Sequence, residues 1–145
     1  MTVPISNYQE VTPSLATAAQ PAAADFTWLR ERGFDVVINV STPTAKNFLP
    51  EEAKLAMDAR MAYVHAPVDC SNLTPEHYGM VKGLLDVFSG KKVLLHCAGN
   101  VKSSGLAHVY RVRELGEDRE HLRQALQVQG WHEPKWFKYF DRMGA

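Results

Sequence analysis

The chain has 145 residues, of which 46% are hydrophobic, 10% aromatic and 22% charged, proportions of an ordinary globular protein rather than a disordered or fibrous one. A chain of this length buries roughly 70% of its unfolded surface in one core, so a single domain over 1–145 is expected. Sixteen basic against sixteen acidic residues give a formal charge of zero, which leaves no basic excess for a nucleic-acid backbone or an anionic membrane.

The longest apolar runs, such as Val36 to Ile38 and Val93 to Leu95, are far below the ~20 residues of a membrane helix, and no basic segment followed by an apolar one opens the chain. A cytoplasmic address and no membrane partner are expected. Two cysteines, Cys70 and Cys97, are too few for a disulfide scaffold or a four-thiolate zinc site, so each is weighed as an individual thiol.

In chain order, Val11 to Thr17 reads as a first strand, and Pro21 stands near the first turn of a helix that carries Phe26, Trp28 and Leu29 and ends before Gly33. Val36, Val37, Ile38 and Val40 form a short β-branched run, the pattern of a strand buried on both faces. Ser41 to Asn47 is loop-like, Pro50 starts a helix to about Arg60, and Met61 to Val68 reads as a strand with Pro67 near its end. Thr74 and Pro75 cap a helix with Tyr78, Val81, Leu84, Leu85 and Phe88 at helical spacing, stopped by Ser89-Gly90. Val93 to His96 is the last strand. Ser103 or Ser104 then caps a helix to about Leu115, Asp118 caps another through Val128, and Pro134 opens a last one holding Trp136, Phe137 and Phe140. Alternating strands and helices predict an α/β fold: three layers, a mostly parallel sheet of about four to five strands, and ligands beyond the strands' carboxyl ends.

Cys97 sits at one of those ends. The segment His96-Cys97-Ala98-Gly99-Asn100-Val101-Lys102-Ser103-Ser104-Gly105 joins a buried strand to a helix through small residues, a turn former and a cation. A thiol so placed has its thiolate favoured by the helix dipole and the cation, and the same amides can bind phosphate or sulfate. Asn100 occupies a position where a positive φ is expected.

This segment resembles the signature loop of the cysteine-dependent protein tyrosine and dual-specificity phosphatases, in which a His-Cys pair opens a phosphate loop closed by an Arg and then Ser or Thr. In that pattern the Arg lies six positions after the Cys, which here is Ser103, and the following Ser is Ser104; the nearest cation is Lys102, five positions on. From about Ser14 to Trp136 the chain is most similar to a small bacterial branch of this superfamily, the beta-lactamase-hydrolase-like phosphatase domains. The stretches that carry the similarity are Leu15 to Pro21, Gly33 to Val40, and Val93 to Gly105 with Tyr110-Arg111. In that branch a loop shorter by one residue puts the cation at Lys102, the alignment preferred here. An ammonium is a flexible point charge where a guanidinium grips two oxygens, so weak turnover is implied.

The resemblance implies Cys97 as nucleophile, Ala98 through Ser104 as the phosphate cradle, and Asp69, in the loop after Tyr63 to Val68, as general acid. Asp69 also reads as a turn residue capping Ser71 to Thr74. Cys97 reads alternatively as a core thiol. His96 orients the loop rather than taking protons. Cys70 is a loop thiol, or, if Asp69 overhangs the cradle, a partner for a reversible disulfide with Cys97. Ser103 and Ser104 are helix caps, or hydroxyls that help sulfur leave. Arg111 and Arg113 read as salt bridges or solvated surface, and the aromatics Trp131, Trp136 and Phe140 as packing of the closing helix. Asp58 and Asp86 read as exposed helix residues. The histidines His65, His77, His96, His108, His121 and His132 have no ligand spacing, so no metal is predicted.

The leading function is a phosphatase acting on a phosphoprotein or a small phosphorylated molecule through a Cys97 thiophosphate, without cofactor, as a monomer or weak dimer. The alternatives are a phosphate-binding module with little turnover and a rhodanese-type sulfurtransferase. The depth of the site depends on the loops Thr42 to Leu49 and Gly130 to Lys135.

Overall fold

Val36 to Asn39 and Val93 to His96 are buried along their whole length, and so is Leu15 to Ala18, which is the signature of strands in a parallel sheet covered on both faces. The computed structural model describes residues 2–145. In chain order its elements are β1 (Gln9–Thr12), β2 (Leu15–Ala18), α1 (Asp25–Glu31), β3 (Val36–Asn39), α2 (Glu52–Asp58), β4 (Ala62–His65), a 3-10 turn (Cys70–Asn72), α3 (Pro75–Val87), β5 (Val93–His96), α4 (Val101–Arg113), α5 (Arg119–Gln129) and α6 (Pro134–Arg142). The sheet order is β1-β2-β5-β3-β4, antiparallel between β1 and β2 and parallel elsewhere.

Successive strand residues face opposite ways. Leu15, Val36, Ile38, Val93 and Leu95 meet Val81 of α3, Leu106 of α4 and Trp136 and Phe140 of α6. Ala16, Ala18, Val37 and Leu94 turn to the other face, against Phe26 and Leu29 of α1 and Ala56 of α2. This is the expected three-layer α/β architecture.

The boundaries differ from expectation in several places. The first strand predicted over Val11 to Thr17 is a hairpin, because Pro13, with a fixed φ and no N–H, sits in the turn between β1 and β2. Helix α1 starts at Asp25 rather than at Pro21, with the Asp25 carboxylate accepting the Ala22 N–H at 2.8 Å. Helix α2 starts at Glu52, two residues after Pro50. Regular pairing of β4 stops at His65, and Ala66 and Val68 still bond to Asn39 and Val40 while Pro67 between them has no donor. Asn100, not Ser103 or Ser104, is the N-cap of α4. Thr74 does cap α3, its N–H donating to His77 Nδ1 at 3.1 Å, and the Asp118 carboxylate caps α5 through the N–H groups of Glu120 and His121.

The register aligns Ala18, His96, Asn39 and His65 in one row across β2, β5, β3 and β4. The chain therefore leaves four parallel strands along one edge, at their carboxyl ends, and Cys97 is the first residue beyond that row. No helix among the described residues is long and apolar enough to cross a membrane.

Candidate active site

The loop from Cys97 to Val101 turns its carbonyls outward. Cys97 O accepts from His96 Nδ1 at 3.1 Å, Ala98 O from Gln20 N at 3.2 Å and Asn47 Nδ2 at 3.0 Å, and Gly99 O from Asn7 Nδ2 at 3.1 Å. The amides from Ala98 to Ser103 meet no protein acceptor among the described residues, and Ala98, Gly99, Val101 and Lys102 line one cavity. Free N–H donors at a helix start are the groups that bind an anion. The turn depends on Asn100, at φ 73°. Its Nδ2 donates to Asn7 O at 2.8 Å and Thr17 Oγ1 at 3.1 Å, which fixes the left-handed conformation from two strands' distance.

Cys97, Ala98, Gly99, Val101 and Lys102 line one cavity of about 320 Å3, together with Ser41, Thr42 and Ala45 on one side and Trp131, Glu133, Lys135 and Trp136 on the other. Both loops expected to set its depth are thus in its wall. Cys97 is 3% exposed and counts in the core, yet it faces this cavity. Ser103 is fully buried behind the loop. Its Oγ lies 3.3 Å from Cys97 Sγ, 2.6 Å from Asn100 Oδ1 and 3.4 Å from Ala18 O, one proton shared among three acceptors. Ser104 instead bonds back to the Asn100 and Val101 carbonyls and to His132. Of the two candidate cation positions, Lys102 lines the cavity, where its ammonium donates to Val40 O at 3.2 Å, and Ser103 does not.

Beneath the loop lies a polar network centred on Glu52, which has no local mark in the sequence. Glu52, 1% exposed, bonds through Oε2 to His96 Nε2 at 2.5 Å and accepts at Oε1 from Gln20 Nε2 at 2.9 Å and Asn39 Nδ2 at 3.3 Å. Asn39 Nδ2 also reaches Tyr63 Oη at 3.2 Å, and its Oδ1 accepts from the amide and hydroxyl of Ser41. Burial pushes the Tyr63 phenol up to about 12, so it stays a donor or acceptor and carries no charge. His96 is therefore a structural residue: one ring nitrogen holds the Cys97 carbonyl and the other is anchored on α2.

Asp69 does not line the cavity. It is exposed at the N-cap of the 3-10 turn, where Oδ1 accepts from Ser71 Oγ at 2.7 Å and Ser71 N at 2.9 Å. The Ser71 hydroxyl, and then the Ser71 amide, hold its carboxyl below the usual carboxylate range, and Lys102 adds to this from across the rim. Glu133, unmarked in the sequence, is the one carboxylate in the cavity wall among the described residues. Cys70 also lines it, and burial pushes that thiol up, with Lys102 opposing. Arg111 pairs with Glu117 at 2.7 Å, and Arg113 stacks over Tyr78, so both serve structure. Asp58 and Asp86 are exposed partners of Lys54 and Lys82. Among the described residues, no three His, Cys, Asp or Glu gather as a metal-ligand group.

Several solved structures share this fold. A DUF442 protein of Shewanella putrefaciens CN-32, described as a candidate phosphatase, is 30% identical over 97% of this chain and 92% of its own, with a TM-score of 0.85. P. aeruginosa TpbA is 19% identical over 97% of this chain and 85% of its own, with a TM-score of 0.77, and a variant of TpbA has been solved with phosphotyrosine. Tk-PTP in its active form is 17% identical over 94% of this chain and 95% of its own, with a TM-score of 0.76. No protein with a curated record matches the chain. The profile of the beta-lactamase hydrolase-like protein, phosphatase-like domain, covers residues 7–113, from Asn7 to the end of α4, and the chain belongs to that family.

Proposed function

We propose that the protein hydrolyses a phosphomonoester through a thiophosphate on Cys97. The observation that carries this reading is that Cys97 lines a cavity together with Ala98, Gly99, Val101 and Lys102 of a loop whose amides have no protein acceptor among the described residues. The sulfur attacks phosphorus, an S–P bond forms as the P–O ester bond breaks, and the loop amides with the Lys102 ammonium hold the equatorial oxygens. Water then cleaves the S–P bond and returns the thiolate, helped by the Ser103 hydroxyl donating to sulfur. No metal or cofactor enters the cycle.

The departing oxygen takes a proton from the rim, and Asp69 is the proposed donor. To donate, it must release Ser71 and swing over the cavity. Glu133 is the second candidate, on the observation that it already lines the wall. Family membership sets the sulfurtransferase alternative aside. A phosphate-binding module with little turnover remains the second reading, favoured by the ammonium at Lys102 in the guanidinium's place.

The test is hydrolysis of an aryl phosphate, the class suggested by the phosphotyrosine bound to TpbA, by wild type and Cys97→Ser, with vanadate as competitor. Turnover abolished by Cys97→Ser and a phosphoenzyme trapped by rapid quench support the phosphatase. Turnover that survives Cys97→Ser removes the mechanism, and tight vanadate binding without turnover in wild type replaces it with the binding module.

A further inference from the structure

A second cavity of about 270 Å3 adjoins the first, walled by the Cys70–Asn72 turn on one side and by α6 on the other. The two share Cys70 and Lys135, so they form one continuous surface depression running away from Cys97. Along α6 the groove presents Lys135, Lys138 and Arg142 at spacings of three and four residues, one helix face about 10 Å long at 1.5 Å per residue. No Asp or Glu lines it, and none of the three cations has a carboxylate within ion-pair distance among the described residues. Of the nearby acids, Asp69 is turned onto Ser71 and Asp141 pairs with Arg123 at 2.8 Å, while Glu133 lines the adjoining cavity with Lys135 and Glu76 feels Arg142 without an ion-pair contact. In a chain of zero formal charge, three cations without an ion-paired carboxylate in one groove attract anions to this place.

The groove is also held open. Tyr139 Oη donates to Thr74 O at 2.8 Å and pins α6 to the loop after the turn, while Arg142 Nη1 reaches Leu73 O at 3.5 Å and leaves the rest of its guanidinium to face outward. Trp136 and Phe140 anchor the opposite face of α6 in the core. All of α6 lies beyond residues 7–113, which the family profile covers.

We propose that this groove is a second anion subsite and that the phosphatase reading, on which this inference rests for catalysis, applies to small molecules bearing a second phosphate group. A phosphate dianion, with three terminal oxygens, can accept a guanidinium fork and an ammonium at once. One phosphate sits in the Cys97 loop while the other rests on α6.

The experiment is calorimetric binding to the wild-type protein of straight-chain α,ω-bisphosphonates of graded length, each against the monophosphonate of equal length. Phosphonates are not hydrolysed, so the reading does not depend on turnover. The best-matched bisphosphonate should bind about tenfold more tightly than its monophosphonate, the sum of two or three exposed charge contacts, and less so as salt rises. In the Lys138→Ala/Arg142→Ala double variant that ratio should fall to about the twofold expected from having two ends. Equal affinities across the series, or a tenfold preference that survives in the double variant, overturn the subsite. A protein that shows the preference but hydrolyses no aryl phosphate keeps the subsite and loses the phosphatase reading; one that hydrolyses without preference does the reverse.

Discussion

Glu52 on α2 and His96 at the end of β5, 44 residues apart, meet at 2.5 Å with neither more than 1% exposed. Through this bond the loop that carries Cys97 is braced from the opposite face of the sheet. Glu52→Ala strands the buried ring of His96 and the amides of Gln20 and Asn39, and should cost about 3 kcal/mol or more in urea unfolding. Glu52→Gln keeps a hydrogen-bonding group and should cost about 1–2 kcal/mol while weakening vanadate binding. Equal, small losses in both variants would mean the loop stands without the brace.

The cation position can be tested by moving a guanidinium. Lys102→Arg adds a bidentate donor at the cavity wall and should tighten vanadate or phosphate binding about tenfold. Ser103 is fully buried behind the sulfur, so Ser103→Arg forces an unpaired charge into the core and should destabilise by about 3 kcal/mol or more. A stable Ser103→Arg protein with improved turnover would reverse this assignment.

A general acid works only while protonated, and bonds from Ser71 favour the ionised Asp69. The alkaline limb of kcat should therefore lie low in pH. Ser71→Ala removes the hydroxyl donor, raises the Asp69 pKa towards its ordinary value, and should move the limb to higher pH. Asp69→Asn should lower kcat by about 10²-fold and flatten the limb. If Glu133→Gln does this and Asp69→Asn does not, the proton comes from Glu133.

Gly105 admits no side chain. A Cβ there would lie 2.5 Å from Trp136 Cζ3 and 2.6 Å from Cε3, and Trp136 is locked among His132, Tyr139 and Phe140. Gly105→Ala should cost about 1–3 kcal/mol. Because Trp136 also lines the cavity, the same variant should bind vanadate more weakly.

His108 is buried with Nε2 at 3.0 Å from Ala145 O, and burial pushes its pKa down to about 4. Below the ordinary value of about 6.5 the unfolded chain takes a proton that the folded one refuses. Stability should thus fall as pH drops from about 6.5 to 4, by up to about 3 kcal/mol. The stability of His108→Gln, measured by urea unfolding, should vary less across that window.

Much of the fold was legible because its signals are local. Three buried runs, the Thr74 and Asp118 caps, and Pro134 before an aromatic helix each declare themselves within a few residues. The His96 to Gly105 segment likewise showed a strand, a turn former and a helix start in ten residues. The hairpin at Pro13 was missed because strand signals on both sides ran together, and Ser103 and Ser104 were preferred as caps because serine is the commoner capping residue, whereas a left-handed Asn100 held by Asn7 took that place.

The sequence by itself determined that a thiol would end a buried strand before a helix start, because periodicity and turn chemistry act over neighbouring residues. Tertiary structure alone decided which groups hold the loop's carbonyls and what surrounds the sulfur. Asn7, Gln20, Asn47 and Glu52 reach the loop across separations of up to 93 residues, and Glu133 and Lys135 come to it from the far end of the chain. Contacts of that kind exist only once strands have found their register and helices have packed across them.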